Sequence, residues 1–162
     1  MSDVPSCTVR AIDIMKRDIV FRGKDAITGE WYYGDLEFSR YTGRTRIHTY
    51  NEDGIYCRQV EVDPDSVGQF TGLYDKSGKG IYEGDIVRWE YKDNDAYTGW
   101  CGIQKRICKV VFEYGSFRID AYPYHLGSCE DFYEESETYG LEVVGNVYDN
   151  PELLESKSEI KK

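Results

Sequence analysis

Residues 86–92 read Ile-Val-Arg-Trp-Glu-Tyr-Lys, and that alternation narrows the fold more than any other feature of the chain. Successive side chains of an extended strand point to opposite faces, so Val87, Trp89 and Tyr91 share one face. Arg88, Glu90 and Lys92 share the other with Ile86. A helix would mix the two sets, whereas a half-buried strand separates them. The same period recurs at Trp31 and Tyr33 and again at Leu36 and Phe38, with Gly34 between the pairs marking a bend or bulge. Ile55 to Val62 is a further strand, with Val60 and Val62 on one side. Ile103 to Tyr114 is long and β-branched, and Gly115 turns it back into Phe117 to Ala121 as a hairpin. Leu141 to Tyr148 is the last strand. Asn150-Pro151-Glu152 then opens a short helix through Leu153 and Leu154. Asparagine caps free amides, proline suits the first helical position and glutamate complements the positive helix end. The fold class is mainly β.

Composition supports this reading. The chain of 162 residues is long enough for one domain with a core, and its 15 tyrosines and 16 dispersed glycines suit sheets joined by turns. Tyrosine buries a ring while keeping a hydroxyl for water or a partner. Residues 1–50 carry 8 basic and 7 acidic side chains, while residues 51–162 carry 12 basic and 23 acidic ones, for a net charge of −10 overall. An acidic body of this kind disfavours loose attraction to nucleic-acid phosphates. No apolar run approaches the ~20 residues of a membrane-spanning helix. Met1 to Arg10 lacks the pattern of a secretory signal. Cys7, Cys57, Cys101, Cys108 and Cys129 form an odd, irregular set without a C-x-x-C pair, which reads as reduced thiols in a cytoplasm.

Candidate chemistry is sparse, and each candidate has a plain structural alternative. His48 and His125 are the only histidines, and no hydrolase elbow, zinc-protease, phosphate-loop or dinucleotide signature occurs. Cys129 with His125 would make a nucleophile pair, but nothing nearby activates the thiol. Cys101, Cys108, His125 and Cys129 are the one set that could surround zinc. Cys101 and Cys108 are seven apart, however, and would face opposite sides of a strand. Glu83 and Asp85 flank Gly84 at the start of the clearest strand. Paired carboxylates can hold Mg²⁺ or share acid–base work. A glycine turn in which Asp85 binds nearby amides explains all three residues. These readings leave no catalytic residue, no metal site and no cofactor.

Two surfaces remain for macromolecular contact. Arg40, Arg44 and Arg46, with His48, Tyr41 and Tyr50, form a basic strip with interleaved rings that would suit nucleic acid; Lys105, Arg106 and Lys109 offer a second patch. Exposed aromatic residues offer the other. Tyr91 to Gly102 reads as an exposed excursion between strands that carries Tyr97 and Trp100. Trp31 and Tyr33 are further anchors if they are not core residues. Glu130 to Glu142 has six acidic residues and no basic one, which reads as a solvated loop.

The segment VDPDSVGQFTGLYDKSGKGIYEGDIVRWE (62–90), with KRDIVFRGK (16–24) and TGEWYYGDLEF (28–38) before it and EVVGNVYDNPELL (142–154) after it, resembles the YopX-like family of small phage and prophage proteins. The resemblance spans residues 15–154. It implies a β-rich N-terminal part over 15–63 packed with a small SH3-like barrel over 64–150. Residues 1–14 would then be an extension and 155–162 a charged tail. The family carries no assigned catalytic residues. The resemblance implies a phage-encoded accessory protein; with the aromatic abundance, the absent catalytic set and the cysteine pattern, the chain reads as a non-enzymatic protein of the bacterial host's cytoplasm, without cofactor or membrane association, whose partner is a host or phage protein. A nucleic-acid-binding barrel, an acidic DNA mimic acting on a host DNA-handling protein, and a metal-dependent enzyme are the alternatives. Homo-oligomerisation stays open.

Overall fold

The computed structural model describes residues 18–95, 100–120 and 141–155, with the backbone alone over 90–95 and 100–104. In chain order the described strands are β1 (Phe21–Lys24), β2 (Trp31–Phe38), β3 (Thr45–Tyr50), β4 (Tyr56–Glu61), β5 (Gly68–Tyr74), β6 (Gly80–Tyr82), β7 (Asp85–Asp95), β8 (Trp100–Glu113), β9 (Ser116–Ile119) and β10 (Glu142–Asn146). A 3-10 turn at Pro64–Ser66 joins β4 to β5, and one short helix, α1 (Glu152–Glu155), follows β10. All pairings are antiparallel. One sheet of six strands has the order β4-β3-β2-β1-β5-β6, and one of four has the order β10-β7-β8-β9. Among the described residues, the mainly β class is what the alternation predicts, and the short helix is what Asn150-Pro151-Glu152 predicts.

Each sheet buries one face on its own cluster. Ile47, Val60 and Val62 form the first, with Phe21, Tyr32, Leu36 and Val67 packed on it. Ile81, Val87, Trp89, Cys108, Val110 and Leu141 form the second, with Leu73, Ile119 and Val143. A fully buried side chain of this size stabilises the fold by about 1.5–3 kcal/mol. Because Leu73 of β5 and Ile81 of β6 belong to the second cluster, the last hairpin of the first sheet packs against the second sheet. Asp75 adds a polar tie at the same place. Its Oδ1 accepts from the Ser77 amide and hydroxyl and from the Lys79 amide, and its Oδ2 accepts from the Val143 amide of β10 at 3.0 Å.

Several expectations are refined or corrected. Residues 91–95 and 100–102 are no excursion, because β7 and β8 stay paired from Ile86↔Lys109 out to Asp95↔Trp100. Continuing the ladder pairs backbone groups that a loop would leave to solvent. Ile86 does not share a solvated face with Arg88: it is fully buried beside the equally buried Val87, so β7 is covered on both faces where it starts. The β8–β9 hairpin forms as expected, through a two-residue turn with Tyr114 at φ 53° and Gly115 at φ 82°. This is the twist that matches the flanking strands. Pairing runs across position 63/64, since β5 and β6 complete the first sheet and the second begins at Asp85. The SH3-like closure expected for residues 64–150 is not among the pairings of the described residues, which form the two sheets above.

Candidate functional site

The site begins with Arg22, one residue of a four-residue strand. Arg22 pairs with Tyr33 of β2 and Gly68 of β5, and Phe21 and Gly23 on either side point into the first cluster. Alternation therefore sends Arg22 out of the opposite face, beside Trp31 and Tyr33. Gly68 lets the Glu83–Gly84 turn approach; a Cβ there would lie 2.4 Å from the Glu83 carbonyl oxygen. Across this approach Arg22 Nη1 meets Asp85 Oδ1 at 2.6 Å, with side chains only 6% and 2% exposed. Arg22 Nη2 donates to the Glu83 carbonyl at 3.1 Å, and Asp85 Oδ2 accepts from the Tyr82 amide at 2.8 Å. The guanidinium lies 4.7 Å from the Trp31 ring centroid and 5.1 Å from that of Tyr82. Burial pushes the Asp85 carboxyl up from its ordinary value, against the pull of Arg22 and the Tyr82 amide. Both Asp85 oxygens are thus engaged in joining the sheets, as the turn reading of Glu83, Gly84 and Asp85 expects.

A second clasp secures the end of the described chain. Asp149 Oδ1 accepts from Lys24 Nζ at 2.6 Å, and its Oδ2 accepts from Trp31 Nε1 at 2.7 Å and Asn146 Nδ2 at 2.8 Å. Tyr148 packs edge-on against Trp31 with centroids 5.7 Å apart. Lys24, Asn146 and Trp31 together hold the Asp149 carboxyl down at about 2, well below its ordinary value of 3.8. A carboxyl lowered in the folded state contributes stability above its unfolded value and loses it as pH falls toward the folded one. The Asp149 side chain is 38% exposed, so solvent screening limits the contribution to about 1 kcal/mol. Asp149→Asn is therefore expected to lower the urea midpoint at about pH 6, with the gap to the parent protein closing as pH falls through about 2. A gap that persists unchanged at the acid end would show that charge on Asp149 is not its cause.

Beside Arg22, on the same face, lies an open cleft of about 330 Å³. Phe70, 7% exposed, forms its floor. Tyr33 stands edge-on to Tyr82 at 5.5 Å, while Phe70 contacts Tyr74 at 5.4 Å and Tyr82 at 5.3 Å. Tyr33 and Tyr74 remain 48% and 58% exposed. Asp18, Val20, Arg22, Lys79 and Gly80 complete the lining. The Tyr32, Tyr50 and Tyr148 hydroxyls bond to Glu30, Asp35 and the Asp65 carbonyl, whereas those of Tyr33, Tyr74 and Tyr82 find no hydrogen-bond partner among the described residues. Burial raises the Tyr33 and Tyr82 hydroxyls above their ordinary value, so both remain protonated donors at neutral pH.

The sequence-derived candidates divide around this cleft. Tyr33 lines it, and Trp31 is held partly buried in the clasp. Arg40 is exposed in the β2–β3 connection. The rest of the basic strip is met by carboxylates: Arg44 by Glu61 at 3.4 Å, Arg46 by Glu37 at 3.2 Å, and His48 Nε2 by Glu37 at 2.6 Å. Hydrogen bonding from His48 and the charge of Arg46 lower the Glu37 carboxyl, so the strip carries its own counter-charge. Tyr97, His125 and Cys129 lie outside the described residues, and Trp100 is described by its backbone alone, opposite Asp95. Cys108 is a buried member of the second cluster. No group of three or more potential metal ligands occurs among the described residues. Arg22, Tyr74 and Tyr82 did not stand out in the sequence, and Phe70 read only as an apolar anchor. Their signal lies in the pairing of β1 with β2 and β5.

These features define a two-sheet antiparallel β protein whose sheets are tied by a buried ion pair beside an aromatic cleft. The family model described as "YopX protein" matches residues 20–155, and the chain belongs to that family. No curated protein matches the chain. The crystal structure of protein EF1440 from Enterococcus faecalis is similar at TM-score 0.53, over 85% of this chain and 99% of that one, with 20% identity. At that identity the likeness concerns the fold alone. No described helix is long and apolar enough to cross a membrane.

Proposed function

We propose that the protein is a non-enzymatic accessory module, encoded by a phage or prophage and acting in the host cytoplasm, that binds another protein through the aromatic face of its first sheet. The observation that carries this reading is the half-exposed pair Tyr33 and Tyr74 standing over Phe70 in an open cleft. Large rings held rigid by their neighbours supply contact area at little entropic cost, which is why Tyr and Trp dominate interface energies. The ion pair fixes the geometry of the cleft, whose lining includes Arg22. Tyr97, outside the described residues, and Trp100, at the start of β8, are a second candidate contact in the same reading.

Nucleic acid is the less favoured partner. The chain carries −10, and Glu37 and Glu61 already meet the arginines at 44 and 46. The test is affinity capture from nuclease-treated bacterial host lysate, read by mass spectrometry. One enriched host or phage protein is the expected result. Recovery of nucleic acid instead, from untreated lysate and falling steeply with added salt, would overturn the reading in favour of phosphate contact.

A further inference from the structure

We infer that the aromatic cleft receives an extended, proline-containing peptide segment, an assignment that deepens the protein-binding reading above and rests on it. The hydrogen-bonding character of the cleft is lopsided. Tyr33, Tyr74 and Tyr82 bring three hydroxyls without partners among the described residues, Lys79 brings an ammonium group, and Asp18 is the one carboxylate in the lining. An ordinary extended peptide brings an amide hydrogen with every carbonyl, and over rings many of those hydrogens would lose water without gaining an acceptor. Proline has no amide hydrogen, favours the polyproline II form, and leaves its carbonyls turned outward for donors.

The shape of the cleft points the same way. Its rings meet at 64° for Tyr33–Tyr82 and for Phe70–Tyr74, and at 43° for Phe70–Tyr82. They form ridges rather than one flat platform, and puckered pyrrolidine rings fit between ridges where a planar base would meet edges. About 330 Å³ is the small end of the range for ligand cavities, which suits a short stretch of chain. Phosphates could use Lys79 and the rings, but Asp18 and a net charge of −10 oppose them. A basic residue flanking the prolines would meet Asp18 favourably.

The test is a titration of the intact, isotopically labelled protein, followed by amide chemical shifts. The probes are a peptide of about ten prolines flanked by arginine, a Gly-Ser peptide of equal length, and a thymidine strand of about ten nucleotides. The proline peptide is expected to give saturable shifts at Tyr33, Phe70, Gly80 and Tyr82, with a dissociation constant between about 10 μM and 1 mM. Tyr33→Ala should weaken binding about tenfold, and Tyr74→Phe, which keeps the ring and removes only the hydroxyl, about threefold. Absence of saturable shifts at about 2 mM, or equal shifts with the Gly-Ser peptide, would overturn the assignment. Tighter binding of the thymidine strand at the same residues would overturn it too, placing single-stranded nucleic acid in the cleft. If lysate capture still needs Tyr33 and Tyr74 while the proline peptide fails, the protein-binding reading stands and this assignment falls alone.

Discussion

Replacing Arg22 with methionine is expected to destabilise the fold by about 3–5 kcal/mol, a large part of the stability of a domain this size. The substitution keeps the apolar stem but leaves Asp85, 1% exposed, without its contacting cation. Burial already works against its charge, and one of its two oxygens would lose its partner. Removing both charges should cost less than removing one. Arg22→Met combined with Asp85→Leu is expected to regain most of the loss. It would fall short by about 1–2 kcal/mol, because the Tyr82 amide then has no acceptor. Urea midpoints measured at constant m-value distinguish the two cases. A cost below about 1 kcal/mol for the single variant would mean that the pair is well hydrated rather than buried.

Gly34→Ala is expected to cost about 3 kcal/mol or more, by a different route. Gly34 has φ 154°, and a Cβ there would lie 1.9 Å from the His48 carbonyl oxygen and 2.9 Å from its carbon. The obstacle is backbone, so no side-chain rotation relieves it. β2 and β3 must separate, which loosens the Leu36↔Ile47 pair over the first cluster. Gly43 supplies the control. It too has positive φ, 69°, but nothing lies within 4 Å of a Cβ placed there. Gly43→Ala should cost only the left-handed backbone penalty of about 1 kcal/mol. Similar melting temperatures for the two variants would refute the collision.

Elements that signal themselves locally were readable in the sequence. The alternation of β7, the paired rings of β2, the Gly115 hairpin and the Asn150-Pro151 helix start all depend on neighbours in sequence, and all are present. The Glu83-Gly84-Asp85 turn belongs with them, because Asp85 does bind the Tyr82 amide. What was not readable depends on long-range pairing. β1 has four residues and β6 three, too short for a period to show, and β5 carries glycines that read as turns. The cleft needs all three strands placed beside β2 before Arg22, Phe70 and Tyr82 meet Tyr33. The carboxylates set against the basic strip were hidden for a similar reason. Register brings Glu37 opposite Arg46, and Glu61 within reach of Arg44, and spacing within one strand cannot reveal either.

The central claim is that the aromatic face of the first sheet binds a protein. It is tested most directly by repeating the lysate capture with Tyr33→Ala/Tyr74→Ala, once its thermal melt is shown to overlay that of the parent protein. Tyr97→Ala/Trp100→Ala is captured in parallel. The account predicts that the partner enriched by the parent protein falls at least about tenfold with the Tyr33/Tyr74 variant. Undiminished capture by a folded Tyr33/Tyr74 variant would contradict it, and loss confined to the Tyr97/Trp100 variant would move the contact to those two residues.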